Sequence, residues 1–424
     1  MNQSESKTLV EFLTDSEESV VETALDLVSF DTQNPPGNTL KIVDWIEETV
    51  RDLGLQTERH VVDPAKPNLV AWMEGHTDRT LGFNGHVDTV PYDAGVWTFD
   101  PLGERDGNLV YGRGATDMKG AVASMLAAIR AYVDTDTRPP MNLEFSFVSD
   151  EEVGGAAGLP SLLDSDILRA EAYVIGEPTC EQGRHSVTVA DRGSIWLTLE
   201  ATGVSAHGSR PMLGTNAIDR LYAGIETLRR RFGPQRLDVP RELAPVVEES
   251  VEYYGPILGE ESARTMFASP TINLGTIEGG EAINSVPRHA SSEVDIRLTA
   301  GVNTPDVLAE IRDCAADCEG VEIADVSWSV GTFEPIDGPL VSSVTTIAED
   351  VTGERVYRRS ATGGGDAKKF RKAGVSTVEF ALGTDTVHAV DEYTPVEALL
   401  GNALVYARLP YEYAGRMGEP ATSE

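Results

Sequence analysis

Apolar residues recur at helical spacing in some stretches of the first 190 residues and form short continuous runs in others. The helical spacing predicts helices over Val20–Phe30, Lys41–Leu53 and Gly120–Val133. The short runs are typical of buried strands and cover Asn68–Met73, Thr80–Asn84, Asn142–Val148 and Ala172–Ile175. Because strands alternate with helices, the pattern predicts an α/β fold with a helix-covered, mostly parallel sheet.

The pattern changes at about Asp191. A compact α+β unit is predicted there, with strands over Ser194–Ala201, Thr271–Ile277, Ala290–Leu298 and Val321–Val330, and helices over Ala217–Phe232 and Pro305–Asp317. Gly233–Ser269 has little periodicity and is predicted to be an inserted loop region. From about Phe333 the first pattern returns, with a helix over Leu340–Val351, the loop TGGGDAKKF and a strand over Ser376–Ala381. The α+β unit is therefore expected to interrupt a discontinuous first domain.

Length and charge narrow the class of protein. A chain of 424 residues exceeds one typical hydrophobic core, so two domains are expected. It carries 69 acidic against 34 basic residues, only seven of them lysine, for a net charge of −35. This charge repels nucleic acid at ordinary ionic strength, but molar salt shortens the screening length to about 3 Å. The composition predicts a halophilic cytoplasmic protein without a nucleic-acid partner, and an ordinary acidic enzyme is the alternative.

Other features of the sequence also favour the cytoplasm. No apolar run approaches the ~20 residues needed to cross a bilayer, so no membrane partner is expected. The acidic, polar N-terminal segment fits neither a signal peptide nor a transit peptide. Cys180, Cys314 and Cys318 cannot all pair with one another, and free thiols in a reducing compartment are expected.

Seven acidic and histidine residues lie at or just beyond the ends of predicted strands, next to glycine. They are His86 and Asp88 in GHVDTVP, Asp117 in GRGATDMKG, Glu151 and Glu152 in VSDEEVGG, Glu177 in IGEPT, and His388. Imidazole nitrogens and carboxylate oxygens are the usual ligands of zinc and similar ions at hydrolytic centres. Five ligands with one shared carboxylate would give each of two metals three protein ligands and leave room for a water between them.

Each of these motifs has an ordinary reading when taken alone. Asp117 could cap a helix, and Glu151 with Glu152 could form a solvated acidic turn. Taken together, one glutamate can bind metal while its neighbour accepts a proton from water, and His207 in SAHGSRP suits a donor to a developing oxyanion. The residues thus predict a metallohydrolase without deciding which bond it cuts, and a two-metal phosphoesterase also fits this chemistry.

The segments NGHVDTVP, GRGATDMKGA, DEEVGG, GEPT and SAHGSRP resemble, in this order, the di-zinc amidohydrolase family of acetylornithine deacetylase, succinyl-diaminopimelate desuccinylase, aminoacylase-1 and carboxypeptidase G. The resemblance runs from DTQNPPGN to the end of the chain. It implies two divalent metal ions, Zn²⁺ with Co²⁺ as the alternative. The implied ligand sets are His86, Asp117 and Glu177 for one metal, and Asp117, Glu152 and His388 for the other.

The resemblance also assigns roles to residues around the metals. Asp88 would be the partner of His86, and Glu151 the general base that takes a proton from a water bridging the two metals. The peptide bond Asp117–Met118 would be cis. Further implied contacts are those of His207 with the oxyanion, reaching from a partner subunit, of Asn284 and Arg297 with the substrate's carboxylate or acyl end, and of the backbone N–H groups of Gly363, Gly364 and Gly365 with a carboxylate.

For the whole chain, the resemblance implies a catalytic domain over residues 1–190 and 333–424 with a lid or dimerisation domain over 191–332. The implied activity is metal-dependent hydrolysis of a linear amide in an N-acyl amino acid, of the acetylornithine deacetylase or succinyl-diaminopimelate desuccinylase type. A dipeptidase or carboxypeptidase with the same centre is the alternative. A homodimer is expected.

Overall fold

The computed structural model describes residues 2–418, and within them the chain divides into two compact units. Residues 2–189, 334–359 and 365–418 form the first unit, and residues 190–333 and 360–364 form the second. The predicted catalytic ranges 1–190 and 333–424 include residue 1 and residues 419–424, which lie outside the described residues. The segment 360–364 was not predicted to belong to the second unit; the Ala361 N–H donates to the Ala190 carbonyl there, at 2.7 Å.

The elements up to residue 190 include every helix and strand predicted there, together with several that were not predicted. In chain order they are α1 Asn2–Asp15, α2 Glu17–Val28, α3 Leu40–Asp52, β1 Gln56–His60, β2 Asn68–Met73, β3 Thr80–His86, β4 Glu104–Asp106, β5 Leu109–Tyr111, α4 Lys119–Asp134, β6 Asn142–Val148, α5 Leu159–Leu163, β7 Ala172–Ile175 and β8 His185–Ala190.

The second unit contains most of the next group of elements. They are β9 Gly193–Thr202, α6 Ala217–Phe232, α7 Ala244–Leu258, α8 Glu260–Ala268, β10 Thr271–Gly279, β11 His289–Leu298, α9 Thr304–Ala316 and β12 Val321–Ser329. The chain then returns to the first unit through α10 Pro339–Thr352, β13 Val356–Ser360, α11 Asp366–Lys372, β14 Ser376–Glu379, β15 Tyr393–Pro395 and α12 Val396–Gly418.

Eight strands of the described residues form the main sheet of the first unit, in the order β1-β2-β6-β3-β7-β14-β8-β13. The four central strands β6, β3, β7 and β14 are parallel to one another, whereas β1 and β2 add antiparallel pairs at one side. All seven residues of β3 are buried, as is typical of a parallel strand covered on both faces. Helix α12 covers the sheet together with α4, and the Tyr132 hydroxyl of α4 donates to the Ala407 carbonyl at 2.6 Å.

The second unit is a four-stranded antiparallel sheet in the order β10-β11-β9-β12, with α6 and α9 on one face. Alternate residues of β9, among them Ile195, Leu197 and Leu199, pack with Leu221 of α6 in the core. The mixed α/β architecture confirms the predicted fold class: a helix-covered sheet in one unit and an α+β insertion in the other. None of the helices within residues 2–418 is long and apolar enough to span a membrane.

The prediction of an inserted loop over Gly233–Ser269 is wrong, because α7 and α8 occupy most of this segment. The buried positions of α7 include Val246, Ser250 and Tyr254, which follow helical spacing, but the serine interrupts the apolar stripe. Pro256 lies near the end of α7, where it resembled a loop signal. The loop prediction for TGGGDAKKF is also wrong in its second half, where α11 begins at Asp366.

Candidate metal centre

Three of the predicted metal ligands, His86, Glu152 and Glu177, lie at the carboxyl ends of central parallel strands of the first unit. His86 is the last residue of β3, and Val148, opposite it in the register, is the last residue of β6 before the Glu151–Glu152 turn. Glu177 follows β7, whose Ile175 is opposite Asn84 of β3. Parallel strands bring their carboxyl ends to one edge, so side chains distant in sequence converge there.

The structure brings all five predicted metal ligands together in two groups that share one carboxylate. Ligand atoms of His86, Asp117 and Glu177 lie within 4.8 Å of one another, and so do those of Asp117, Glu152 and His388. Asp117 lies between the two imidazoles, with Oδ1 3.1 Å from His86 Nε2 and Oδ2 3.1 Å from His388 Nε2. The outer carboxylates complete the groups, with Glu177 3.5 Å from His86 Nε2 and Glu152 3.2 Å from His388 Nε2.

The electrostatics of this cluster fit a pair of cations. Burial acts to raise the pKa of Asp117, but hydrogen bonds with His388 and His86 lower it below the ordinary value. Hydrogen bonds with Asp117 and Glu152 raise the pKa of His388 to about 10. The raised pKa of His388 favours its protonated form beside these carboxylates, and a divalent cation bound to the same atoms would displace that proton. The donor set, imidazole nitrogens and carboxylate oxygens around one shared aspartate, suits two zinc ions.

Glu151 lies beside this cluster but belongs to neither ligand group. Burial raises the pKa of Glu151 to about 8, and the Asp366 carboxylate adds to the rise. Gly365 lies next to this carboxylate, since a Cβ at its position would be in van der Waals contact with Glu151 Oε1 at 3.5 Å. A buried carboxyl group with a pKa near neutrality is suited to both accepting and returning a proton.

The structure changes the expected contact of Asp88. His86 Nδ1 lies 3.0 Å from the backbone carbonyl of Asp88 and 3.8 Å from its carboxylate, so the carbonyl accepts the ring hydrogen bond. The carboxylate of Asp88, which is fully buried, instead accepts the backbone N–H groups of Glu151 at 3.1 Å and Glu152 at 3.2 Å. Asp88 thereby fixes the turn that carries the two glutamates.

A second buried contact of this turn was missed in the sequence. Asn34 Nδ2 donates to Asp88 Oδ2 at 2.8 Å and to Asp150 Oδ1 at 3.0 Å, and Lys66 pairs with the same Asp150 oxygen. Asp150 adopts a left-handed backbone conformation with φ of 67°. Asn34 is 54 residues from one partner and 116 from the other, and no local pattern marks such a contact. Glu392, whose side chain accepts the backbone N–H of Asp117 at 3.0 Å from 275 residues away, was missed for the same reason.

The peptide bond Asp117–Met118 is cis, which confirms the expectation from the resemblance.

The remaining predicted residues lie mostly in the second unit. His207 is exposed, and its Nδ1 accepts the Ser209 N–H at 3.2 Å, which leaves Nε2 to carry the proton and donate. Asn284 is brought close to it, because its carbonyl accepts the Gly208 N–H at 2.7 Å.

Arg297 is not brought close to these two residues, because it lies near the far end of β11 and pairs with Asp295 at 2.8 Å. Gly363 and Gly364 belong to the second unit, and Gly365 belongs to the first.

Comparison with known proteins identifies the family. A sequence model of peptidase family M20/M25/M40 matches residues 82–412. Succinyl-diaminopimelate desuccinylase 2 of Ruegeria sp. is 31% identical over 414 residues, which cover 94% of this chain and 96% of that protein. Succinyl-diaminopimelate desuccinylase of Dinoroseobacter shibae is 31% identical over 82% of this chain and 87% of its own length.

Solved structures share the fold. An M20-family metallo-carboxypeptidase from Sulfolobus solfataricus superposes with a TM-score of 0.76 at 19% identity, over 93% of this chain and 99% of that chain. Human carnosine dipeptidase 1 gives a TM-score of 0.73 at 19% identity, over 97% and 99% of the two chains. The family model over residues 82–412 and the relatives at 31% identity show that the chain belongs to peptidase family M20/M25/M40.

Proposed function

We propose that this protein is a metal-dependent deacylase that hydrolyses the linear amide of an N-acyl amino acid. The observation that carries the proposal is the position of Asp117 between two three-residue ligand groups, with Glu151 beside them. Relatives that are 31% identical over most of the chain are succinyl-diaminopimelate desuccinylases, which favours a deacylase over a dipeptidase or carboxypeptidase. The solved structures with peptidase names are only 19% identical and support the fold alone.

The residues of the centre would divide the work between binding and proton transfer. His86, Asp117 and Glu177 would hold one zinc ion and Asp117, Glu152 and His388 the other. Bound there, the metals would polarise the amide carbonyl and make water a better nucleophile at neutral pH. Glu151 takes a proton from the attacking water and delivers it to the nitrogen of the leaving amine, so that acid and amine are the products.

We also propose a homodimer in which one substrate contacts residues of two chains. His207 and Asn284 lie beyond the His289 end of β11, whereas Arg297 lies eight residues along the strand from His289, roughly 26 Å from that end at the usual rise of a strand. An N-acyl amino acid spans only about 10 Å. One substrate can therefore contact all three side chains only if they come from different copies of the chain.

The cellular setting is proposed from the composition. A net charge of −35 suits a cytoplasm rich in salt, where the repulsion among surface carboxylates is screened. Zn²⁺ is the proposed metal, with Co²⁺ as the alternative, because the ligands are imidazoles and carboxylates.

The test is hydrolysis of N-succinyl-diaminopimelate and N-acetylornithine in molar KCl, with added Zn²⁺ and with a chelated control. Metal-dependent release of one amine but not the other would identify the acyl group. If the folded, metal-loaded protein cleaves dipeptides but neither acyl amino acid, the deacylase proposal is wrong and a peptidase replaces it.

The role of Glu151 is tested with a pair of neighbouring variants. Glu151→Ala should abolish turnover and leave the metal content near that of the wild type, whereas Glu152→Ala should lose metal, because only Glu152 belongs to a ligand group. Retained activity in Glu151→Ala would remove Glu151 from proton transfer.

A further inference from the structure

The two loops that supply Asp117 and His388 come from distant parts of the chain. Asp117 lies in a turn before α4, and His388 is exposed in a loop between β14 and β15, with a left-handed φ of 61°. Neither residue belongs to a helix or strand that would fix its position. Their spacing must therefore be set by contacts between the two loops.

Glu392 makes the first of these contacts. Its side chain is fully buried, and Oε1 accepts three backbone N–H groups of the Asp117 turn: those of Gly114 at 3.1 Å, Thr116 at 3.0 Å and Asp117 itself at 3.0 Å. Such a cluster of donors on one carboxylate oxygen holds the turn in a single conformation.

Arg113 makes the second contact and connects it to the first. Its Nη1 pairs with Glu392 Oε2 at 2.5 Å, while Nη2 donates to the carbonyls of His388 at 3.3 Å and Ala389 at 3.1 Å. The guanidinium is buried and lies 5.3 Å from the centre of the Trp97 ring. The planar fork of arginine allows these simultaneous contacts.

We propose that Glu392 and Arg113 are positioning residues that set the distance between Asp117 and His388, and with it the affinity of the metal bound by Asp117, Glu152 and His388. The proposal rests on the metal centre of the proposed function. Neither residue touches a metal ligand atom in the described contacts; each acts through the backbone of the two loops. His86 is held separately, through the carbonyl of Asp88.

Glu392→Gln is the variant that separates the two contacts. Its amide oxygen can still accept the three N–H groups of the Asp117 turn, but its NH₂ group then faces Arg113 and the ion pair is lost. Arg113 then loses the ion pair that holds its guanidinium against the His388 and Ala389 carbonyls, while the Asp117 turn keeps its hydrogen bonds. Loss of such an outer contact weakens metal binding by about 10- to 100-fold.

Glu144→Gln, in strand β6 of the main sheet, is a matched control. Glu144 is also a fully buried carboxylate, and its Oε2 accepts Trp72 Nε1 and the Arg169 N–H, both at 2.8 Å. It lies opposite Gly82, four residues before His86 in the register, or roughly 13 Å away. Its loss should reduce stability without changing metal affinity.

The experiment is a zinc titration of the chelator-stripped full chain against a chromogenic competitor, with thermal melting of each metal-free variant. We expect two tight sites in the wild type and in Glu144→Gln, and in Glu392→Gln one tight site and one weakened 10- to 100-fold. Arg113→Lys keeps a positive charge beside Glu392 but loses the second nitrogen that donates to the His388 loop, so it should weaken the same site. This variant replaces Glu392→Gln if that protein does not fold.

Three results would overturn the inference. Two tight sites in both Glu392→Gln and Arg113→Lys would refute the positioning role and leave the proposed metal centre standing. Equal loss in Glu144→Gln would show a general effect of destabilisation and refute it too. A wild-type protein that binds no zinc would refute the proposed metal centre, and the positioning role with it.

Discussion

Replacing Asp88 by asparagine tests whether its carboxylate orients His86 or instead holds the Glu151–Glu152 turn. If the Asp88 carboxylate orients His86, Asp88→Asn should weaken the metal site that contains His86. The structure places the backbone carbonyl of Asp88 on His86 Nδ1 at 3.0 Å, and the substitution leaves that carbonyl in place. The carboxylate holds the N–H groups of Glu151 and Glu152 instead. We therefore expect the metals to stay bound and proton transfer to suffer.

The magnitude follows from the donors around the carboxylate. In its more favourable orientation, the side-chain amide introduced by Asp88→Asn keeps an oxygen at the Oδ2 position, where it still accepts from Asn34 and from the Glu152 N–H. Its NH₂ group then faces the Glu151 N–H, which loses its acceptor. One charge-assisted hydrogen bond is lost, at about 2 kcal/mol. In a domain of more than about 200 residues, this loss of unfolding free energy corresponds to a fall in Tm of about 4–8 °C. A displacement of Glu151 by about 1 Å would lower kcat on the order of 100-fold.

The assay combines zinc content, thermal melting and steady-state hydrolysis of the amide substrate. Glu144→Gln supplies the control, since it removes charge from another buried carboxylate that accepts a backbone N–H. We expect two zinc ions per chain, a lower Tm and a much lower kcat in Asp88→Asn, but only the lower Tm in Glu144→Gln. Loss of zinc from the His86 site with kcat per bound metal unchanged would refute this reasoning.

Further measurements test the remaining assignments. Removing the proposed oxyanion donor in His207→Ala should lower kcat about 10²- to 10³-fold with zinc content unchanged, and an unchanged kcat would exclude that role. Arg297→Ala should raise KM about tenfold or more if the guanidinium binds a substrate carboxylate; an unaltered KM would remove it from the substrate site. Because His388 has a pKa raised to about 10 in the metal-free protein, its proton must leave on metal binding. Zinc affinity should therefore rise with pH towards 10, by about tenfold per pH unit for each displaced proton, and an affinity independent of pH between 6 and 9 would contradict that. With a net charge of −35, Tm should rise between 0.1 M and 2 M KCl; an equal Tm at both concentrations would argue against adaptation to salt.

The elements of the core could be predicted because their burial follows a regular period. The predicted bounds of β2, β6, β7 and α6 agree with the structure at every residue. Segments whose burial depends on a distant neighbour were missed. Helix α7 is an example, since Ser250 takes a buried position at which its hydroxyl accepts the backbone N–H of Ser360, 110 residues away, at 2.9 Å.

The candidate site shows the same division. The five ligands could be chosen because of their residue types and local context: His86 and Glu177 follow a glycine at the end of a strand, whereas Asp117, Glu152 and His388 lie in turns or loops. The parallel pairing of β6, β3 and β7 then brings most of them to one edge of the sheet.

The sequence by itself determined the alternation of helices and strands, the strongly acidic surface and the residue types that can bind metal. These properties are local, because periodicity and donor chemistry belong to short segments of chain. Only the tertiary structure decided that Asp88 holds the glutamate turn and that Glu392, with Arg113, connects the loops of Asp117 and His388. Such contacts join residues up to 279 positions apart, and their geometry is fixed only when the sheet has formed.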